Sequence, residues 1–165
     1  MNGLTEIMYN AYEAIGNLTP IKKADCGNLC DKICCEGDEA GMLLFPGEED
    51  IYDDIPGFTV EEIDYMETPG VNLLICDGKC ERALRPFACR IFPVAPSVDK
   101  DGIVTAVPDI RGRRMCPIWD LKYVDRKFIK SVQKAFDILS ENEKILSFMR
   151  LISAEIDELT RFYKK

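Results

Sequence analysis

The chain has 165 residues, 47% of them hydrophobic, and carries a formal net charge of −8 with no histidine. That length suits one domain with a buried core, and the acidic balance argues against a general nucleic-acid binder, whose affinity comes mostly from phosphate contacts. The lack of histidine excludes Ser–His and Cys–His catalytic pairs, and there is no Gly-rich phosphate loop. No window approaches the ~18 apolar residues of a membrane span. The opening MNGLTEIMYNAYEAIGNL lacks the basic and apolar regions of a signal peptide. The expected compartment is the cytoplasm, where thiols stay reduced.

In chain order, Leu4, Ile7, Met8, Ala11 and Ile15 recur at helical spacing, which predicts a helix over Leu4–Ile15 ended by Gly16. A first cysteine cluster follows at 26–35. Residues 36–67 then hold twelve acids and no Lys or Arg. Short strands are expected there at Gly41–Phe45 and, just beyond, at Val71–Cys76. Between them Thr59-Val-Glu-Glu62 reads as a capping box opening a short helix to about Glu67. Glu48-Glu-Asp-Ile-Tyr-Asp-Asp54 lacks the alternating acids and glycine of a calcium loop and reads as a solvated acidic loop. The second cysteine group, Cys76 to Cys89, opens a basic region: residues 76–116 hold eight Lys/Arg against five acids. A strand over Ile103–Val107 leads through Pro108 to Arg111-Gly-Arg-Arg-Met-Cys116, and Trp119 reads as a core plug. Beyond it, Val124, Phe128, Val132, Ala135, Phe136 and Leu139 form one apolar stripe. Ile145, Phe148, Met149, Ile152, Ile156, Leu159 and Tyr163 form another. Ser140-Glu-Asn-Glu143 reads as the capping box between them, giving a C-terminal helical hairpin over about 120–165. The expected fold is α+β, mainly helical, with short strands around a cysteine-rich metal centre. It is read as one domain over 1–165, with a cysteine region at about 24–118.

The chemistry concentrates in eight cysteines: Cys26, Cys30, Cys34, Cys35, Cys76, Cys80, Cys89 and Cys116. An even count suits disulfides, but the chain has core enough without staples and shows no secretion signal. Buried inert thiols explain single residues, not four cysteines in ten positions among Asp25, Gly27 and Asn28. Metal binding explains both clusters, because thiolate is a soft ligand for zinc, copper(I) or iron–sulfur clusters. Cys26/Cys30 and Cys76/Cys80 stand at i, i+4, which places two sulfurs on one helix face or around one turn. Asp77-Gly78 favours the turn, since glycine accepts positive φ. If Cys26 to Cys34 were one straight helix, its end thiols would lie ~12 Å apart along the axis, so the chain must turn near Cys30–Cys35 or serve two sites. Arg82, Arg85, Arg90, Arg111, Arg113 and Arg114 would offset thiolate charge; alternatively they salt-bridge the acidic 36–67 segment.

Cys26-x3-Cys30-x3-Cys34-Cys35, followed by Cys76-x3-Cys80 and by Arg85-Pro-Phe-Ala-Cys-Arg-Ile-Phe-Pro93, resembles the YkgJ-type CxxCxxCC cysteine-cluster family. That family is described as a zinc- or iron-chelating domain. The resemblance covers about residues 26–95. It implies chelating positions at Cys26, Cys30, Cys34, Cys35, Cys76, Cys80 and Cys89, and a companion motif at Arg85, Pro86, Arg90, Phe92 and Pro93. Cys116 is a candidate eighth ligand. The first motif departs from the family in having three residues, not two, between its cysteines. A related motif occurs in flagellin lysine N-methylases, but this chain is short for such an enzyme and the activity is not carried over. The CxxxCxxC of radical S-adenosylmethionine enzymes differs in its last spacing.

All-cysteine ligation leans towards an iron–sulfur cluster (4Fe–4S) held by a subset of the thiols, with Arg85 and Arg90 beside it. Zn2+ in four-thiolate sites is the rival, since eight thiols equal two such sites. Three functions follow: a redox or cluster-dependent group-transfer protein, a zinc-held interaction module without catalysis, and a metal carrier. The first would have a protein or redox partner; no membrane partner is expected. Whether the protein is an enzyme stays open at this level.

Overall fold

Residues 3–35, 41–78 and 80–164 are described by the computed structural model. The amphipathic N-terminal segment forms α1 (Gly3–Ile15), burying Met8, Ala11 and Ile15. Cys26 precedes a single helical turn, α2 (Gly27–Cys30). Asp31 and Lys32 both adopt positive φ, 49° and 59°, so the chain reverses before a 3-10 turn at Ile33–Cys35. The turn expected near Cys30–Cys35 is present.

The central sheet has the order β1-β3-β2 and is antiparallel throughout, with β1 at Gly41–Leu43, β2 at Phe58–Tyr65 and β3 at Thr68–Cys76. β2 replaces the helix expected from Thr59 to Glu67. Its Phe58, Val60, Ile63 and Tyr65 are aromatic or β-branched and lean to strand. Met66 and Glu67 take positive φ, 47° and 62°, closing a two-residue hairpin turn onto Thr68. The helix-capping pattern at Thr59 therefore loses to cross-strand pairing. β1 ends two residues before the expected Phe45, because Leu44 and Phe45 leave the sheet edge for the core.

The loop expected to be solvated at Glu48–Asp54 is otherwise. It contains the short helix α3 (Glu49–Tyr52), and Glu48 is fully buried. Its carboxylate accepts from the Phe45 and Phe87 backbone N–H groups at 2.7 and 2.8 Å, and from the Tyr12 hydroxyl. Of the expected acidic connection, residues 36–40 lie outside the described residues.

After a 3-10 turn at Arg82–Leu84, α4 (Phe87–Ile91) starts from Pro86. Phe87 N–H is the first free donor of α4, and the buried Glu48 meets it from elsewhere in the chain. A second, two-stranded sheet pairs β4 (Val94–Val98) with β5 (Val104–Pro108). Pro93 and Pro96 hide β4 from a propensity reading. The Gln133 side chain accepts from Ala106 N–H and donates to the Val104 carbonyl, pinning β5 to the helix behind it.

That helix is α5 (Arg126–Ser140), capped by Asp125, and α6 (Glu143–Tyr163) follows after two residues. The cap of α6 is Asn142, not Ser140: its side chain accepts from Lys144 and Ile145 N–H at 3.0 and 3.3 Å. Ser140 still belongs to α5, where its hydroxyl turns back to the Asp137 carbonyl. α5 packs on α1 and β5, and α6 on β4. With 47% helix and 21% strand in small antiparallel sheets, the fold is α+β with a C-terminal helical region. The main core is built from α1, α4, α5, α6 and the inner strand residues; Cys26, Cys116 and Trp119 pack at its edge. No helix among the described residues is long and apolar enough to cross a membrane.

Candidate metal centre

All eight cysteines are free thiols; Cys34 is exposed and the others are half-buried. Cys26 and Cys30 bracket α2, and the Cys30 thiol faces the Cys26 carbonyl at 3.9 Å. Cys34 and Cys35 sit in the 3-10 turn, Cys76 ends β3, Cys89 lies in α4, and Cys116 follows the turn at Ile110–Gly112. Gly78, with φ at 74°, makes the expected turn between Cys76 and Cys80, whose Lys79 lies outside the described residues. A Cβ at Gly78 would stand 2.4 Å from the Cys35 carbonyl oxygen. Only glycine lets the second cysteine turn press this closely on the first.

Four of the thiols, Cys26, Cys34, Cys35 and Cys89, line a cleft of about 380 Å3 with Arg82 and Arg85 and with apolar residues of β1, β2 and β3. Arg85 is 8% exposed. Its Nη2 bonds Asp25 at 3.1 Å, and its Nε is buried without a partner. Asp25 also accepts from Gly27 N–H at 3.0 Å, so one carboxylate caps α2 and anchors the arginine of the second motif. Burial raises the Asp25 carboxyl, but the Gly27 N–H and the Arg85 guanidinium more than offset it and hold it below its ordinary value. Arg85 moves the other way. Burial lowers it, while Asp25, Cys35 and Cys80 together raise it further.

The other arginines make contacts of their own, although Arg82 also lines the cleft with the thiols. The Arg90 guanidinium stacks over Tyr12 at 4.5 Å and donates to the Arg82 and Ala83 carbonyls at 3.3 and 2.8 Å. It braces the turn before α4, and its Nε, like that of Arg85, is buried without a hydrogen-bond partner. Arg111 is held by Asp109 and Glu155 at 2.7 and 3.2 Å. Arg82 donates to the Leu18 carbonyl at 2.6 Å. Arg113 lies 5.9 Å over the ring of Trp119, which is half-buried and packs against the core as expected. The ion pairs of Arg85 and Arg111 thus go to Asp25, Asp109 and Glu155, outside the acidic 36–67 segment.

Burial pushes the Cys26, Cys80, Cys89 and Cys116 thiols up. The vicinal pair differs. The Cys34 S–H supports charge on Cys35, and although burial opposes it, Arg85 and Lys32 favour it too, so Cys35 is the thiol most readily ionised of the two. Among the described residues, no three His, Cys, Asp or Glu side chains are gathered closely enough to hold a metal ion as they stand. The donor set fits a soft metal in its chemistry. Arg85 adds a buried, unpartnered N–H beside thiols that would carry charge.

Sequence reasoning missed Asp25, whose position just before Cys26-Gly27 matches an Asx turn. It also missed Glu48 and Tyr12, because nothing local marks a buried carboxylate inside an acidic run. No protein-family model matches the chain, and no curated protein or solved structure matches it either. The resemblance over Cys26–Pro93 therefore rests on its motif residues alone.

Proposed function

We propose that this is a cytoplasmic metal-binding protein whose clustered thiolates hold an iron–sulfur cluster or iron, in the manner of the YkgJ-type proteins that its motif resembles. The observation that carries this reading is a cleft lined by Cys26, Cys34, Cys35 and Cys89 beside the buried Arg85, in a chain whose eight cysteines are all free thiols. Such a centre needs an unusual density of soft donors and a local cation, and both are here. Bound metal would supply Lewis-acid or electron-transfer chemistry. The chain's own part is to deliver thiolates, to offset their charge through Arg85, and to present them along a cleft.

The zinc-held structural module is the second reading. The main core counts against it. That core is assembled from helices and strands with only Cys26 and Cys116 at its margin, so the fold does not depend on a metal staple as a small zinc domain does. The accessible cleft favours a working centre in which redox or group-transfer partners reach the thiols.

The deciding experiment is metal and acid-labile sulfide analysis, with an optical spectrum, on the full chain purified without oxygen. Iron with matching sulfide and a visible absorbance that bleaches on reduction is the expected result. Zinc without sulfide would move the function to the interaction module. Reduced protein that takes up neither metal would overturn the proposal.

A further inference from the structure

The pairing of the central sheet brings Leu43 opposite Leu73 and Ile63 opposite Val71. Paired residues share a face, and alternation along β3 puts Val71 and Leu73 on the same one. That face is apolar and packs against the main core. The core does not cover it fully. Leu43 and Val71 are buried, whereas Ile63 and Leu73 are half-buried. Gly41 makes room for Leu73, since a Cβ there would stand 2.6 Å from its Cδ1. Leu43, Ile63 and Leu73 line the cleft that holds the thiols, together with Phe92 and the exposed Met115. Apolar surface is thus left open to solvent in a concave place.

The three arginines of the same cleft are not equivalent. Arg111 is neutralised by Asp109 and Glu155, and Arg85 by Asp25. Arg82 forms no ion pair among the described residues and donates to the Leu18 carbonyl instead. The cleft therefore keeps one uncompensated cation. Arg85, only 8% exposed, gives its Nη groups to Asp25 and leaves its Nε buried without a partner. A buried donor without an acceptor is costly, and an anionic group that reached it would remove that cost.

We propose that the cleft is a binding site for a small amphipathic anion, a molecule with an apolar body and a carboxylate head. The body lies on the open sheet face around Ile63 and Leu73. The head takes the charge of Arg82 and the free Nε of Arg85. A cleft of about 380 Å3 falls in the range of small-molecule sites, which are mostly apolar with a few polar groups that fix orientation. Met42 and Met115 also line it, and such unbranched side chains adapt to irregular apolar shapes. A molecule held there lies alongside Cys26, Cys34, Cys35 and Cys89. The inference goes beyond the metal reading and does not rest on it, because neither the sheet face nor Arg82 needs a metal.

The test is isothermal titration calorimetry of the reduced full chain with octanoate, and with octylammonium and octan-1-ol as controls of the same chain length. Octanoate should bind at one site, at least tenfold more tightly than either control. R82Q should weaken octanoate by about tenfold or more and leave octan-1-ol unchanged. I63E, which puts a carboxylate on the apolar face at a half-buried position, should weaken both. Far-UV circular dichroism should match the wild type in each variant, and the three-ligand comparison on wild-type protein decides the matter even where a variant fails to fold. Absence of octanoate binding, equal affinity for octanoate and octylammonium, or octanoate binding unchanged in folded R82Q or I63E would overturn the proposal. Each of these outcomes leaves the metal and sulfide analysis untouched, so the two readings fail separately.

Discussion

Glu48 is the buried residue with most at stake. Burial pushes its carboxyl up to about 7 from an ordinary 4.5, against the pull of the Tyr12 hydroxyl and two backbone N–H groups. Its folded-state pKa is therefore raised, and between those two values the folded chain holds a proton that the unfolded chain has lost. Stability must then fall as pH rises from 4.5 to 7, by up to about 3 kcal/mol from this one group. E48Q should remove that slope. It should also cost about 1–3 kcal/mol, since its amide NH2 would face a backbone N–H. Denaturant unfolding of both proteins across this range checks it; parallel curves would refute it. Arg85 makes the second residue-scale prediction. R85Q removes the cation beside Cys35 and Cys80, so their thiols ionise at higher pH and compete less well for metal. Metal affinity at neutral pH should drop by about tenfold or more, with the midpoint of metal loss on acidification moved upward. An unchanged midpoint would show that the arginine serves Asp25 alone.

At the scale of elements, the Gly78 turn and the 3-10 turn at Ile33–Cys35 meet backbone to backbone. G78A should force them apart, because a Cβ there collides with the Cys35 carbonyl at 2.4 Å and sits on a φ of 74°. The expected cost exceeds about 1 kcal/mol, together with a loss of metal uptake that G57A, with open space around its Cβ, does not show beyond its own backbone strain. The helices were legible in the sequence because apolar spacing and burial coincide, as in Phe128, Val132, Ala135 and Phe136. The strands were less so. β2 carried a helix-capping pattern, and β4 carried a proline. In both, pairing with a partner strand distant from local signals decided the structure. The cysteines were legible by type and spacing, but the buried Glu48 with its Tyr12 partner and the Asp25–Arg85 pair were not, since each acts across the fold on a segment far away in sequence.

The whole molecule separates a closed core from a thiol-rich margin. Helices α1, α5 and α6 bury their apolar faces against one another's neighbours and the β4–β5 sheet, and most cysteines stand outside that packing. Removing metal with a chelator under reducing conditions should therefore leave the far-UV circular dichroism of the helices nearly intact. The thermal midpoint should fall by a few degrees, in line with the loss of a bound ligand and not of a core. Global unfolding on chelation would instead make the thiol sites part of the fold's foundation.

One guanidinium serves several of the thiols. Arg85 lines the same cleft as Cys26, Cys34, Cys35 and Cys89, and Cys80 lies within its electrostatic reach. Negative charge arriving with any of these thiolates draws on the same cation, so the second arrival meets less of it. If metal is held beside both Cys26 and Cys35, the two binding steps are expected to be anticooperative, and such coupling is reciprocal by thermodynamic necessity. Whatever is held at one then sets how tightly the other holds its own occupant, and a partner able to engage Asp25 and release Arg85 would loosen both at once.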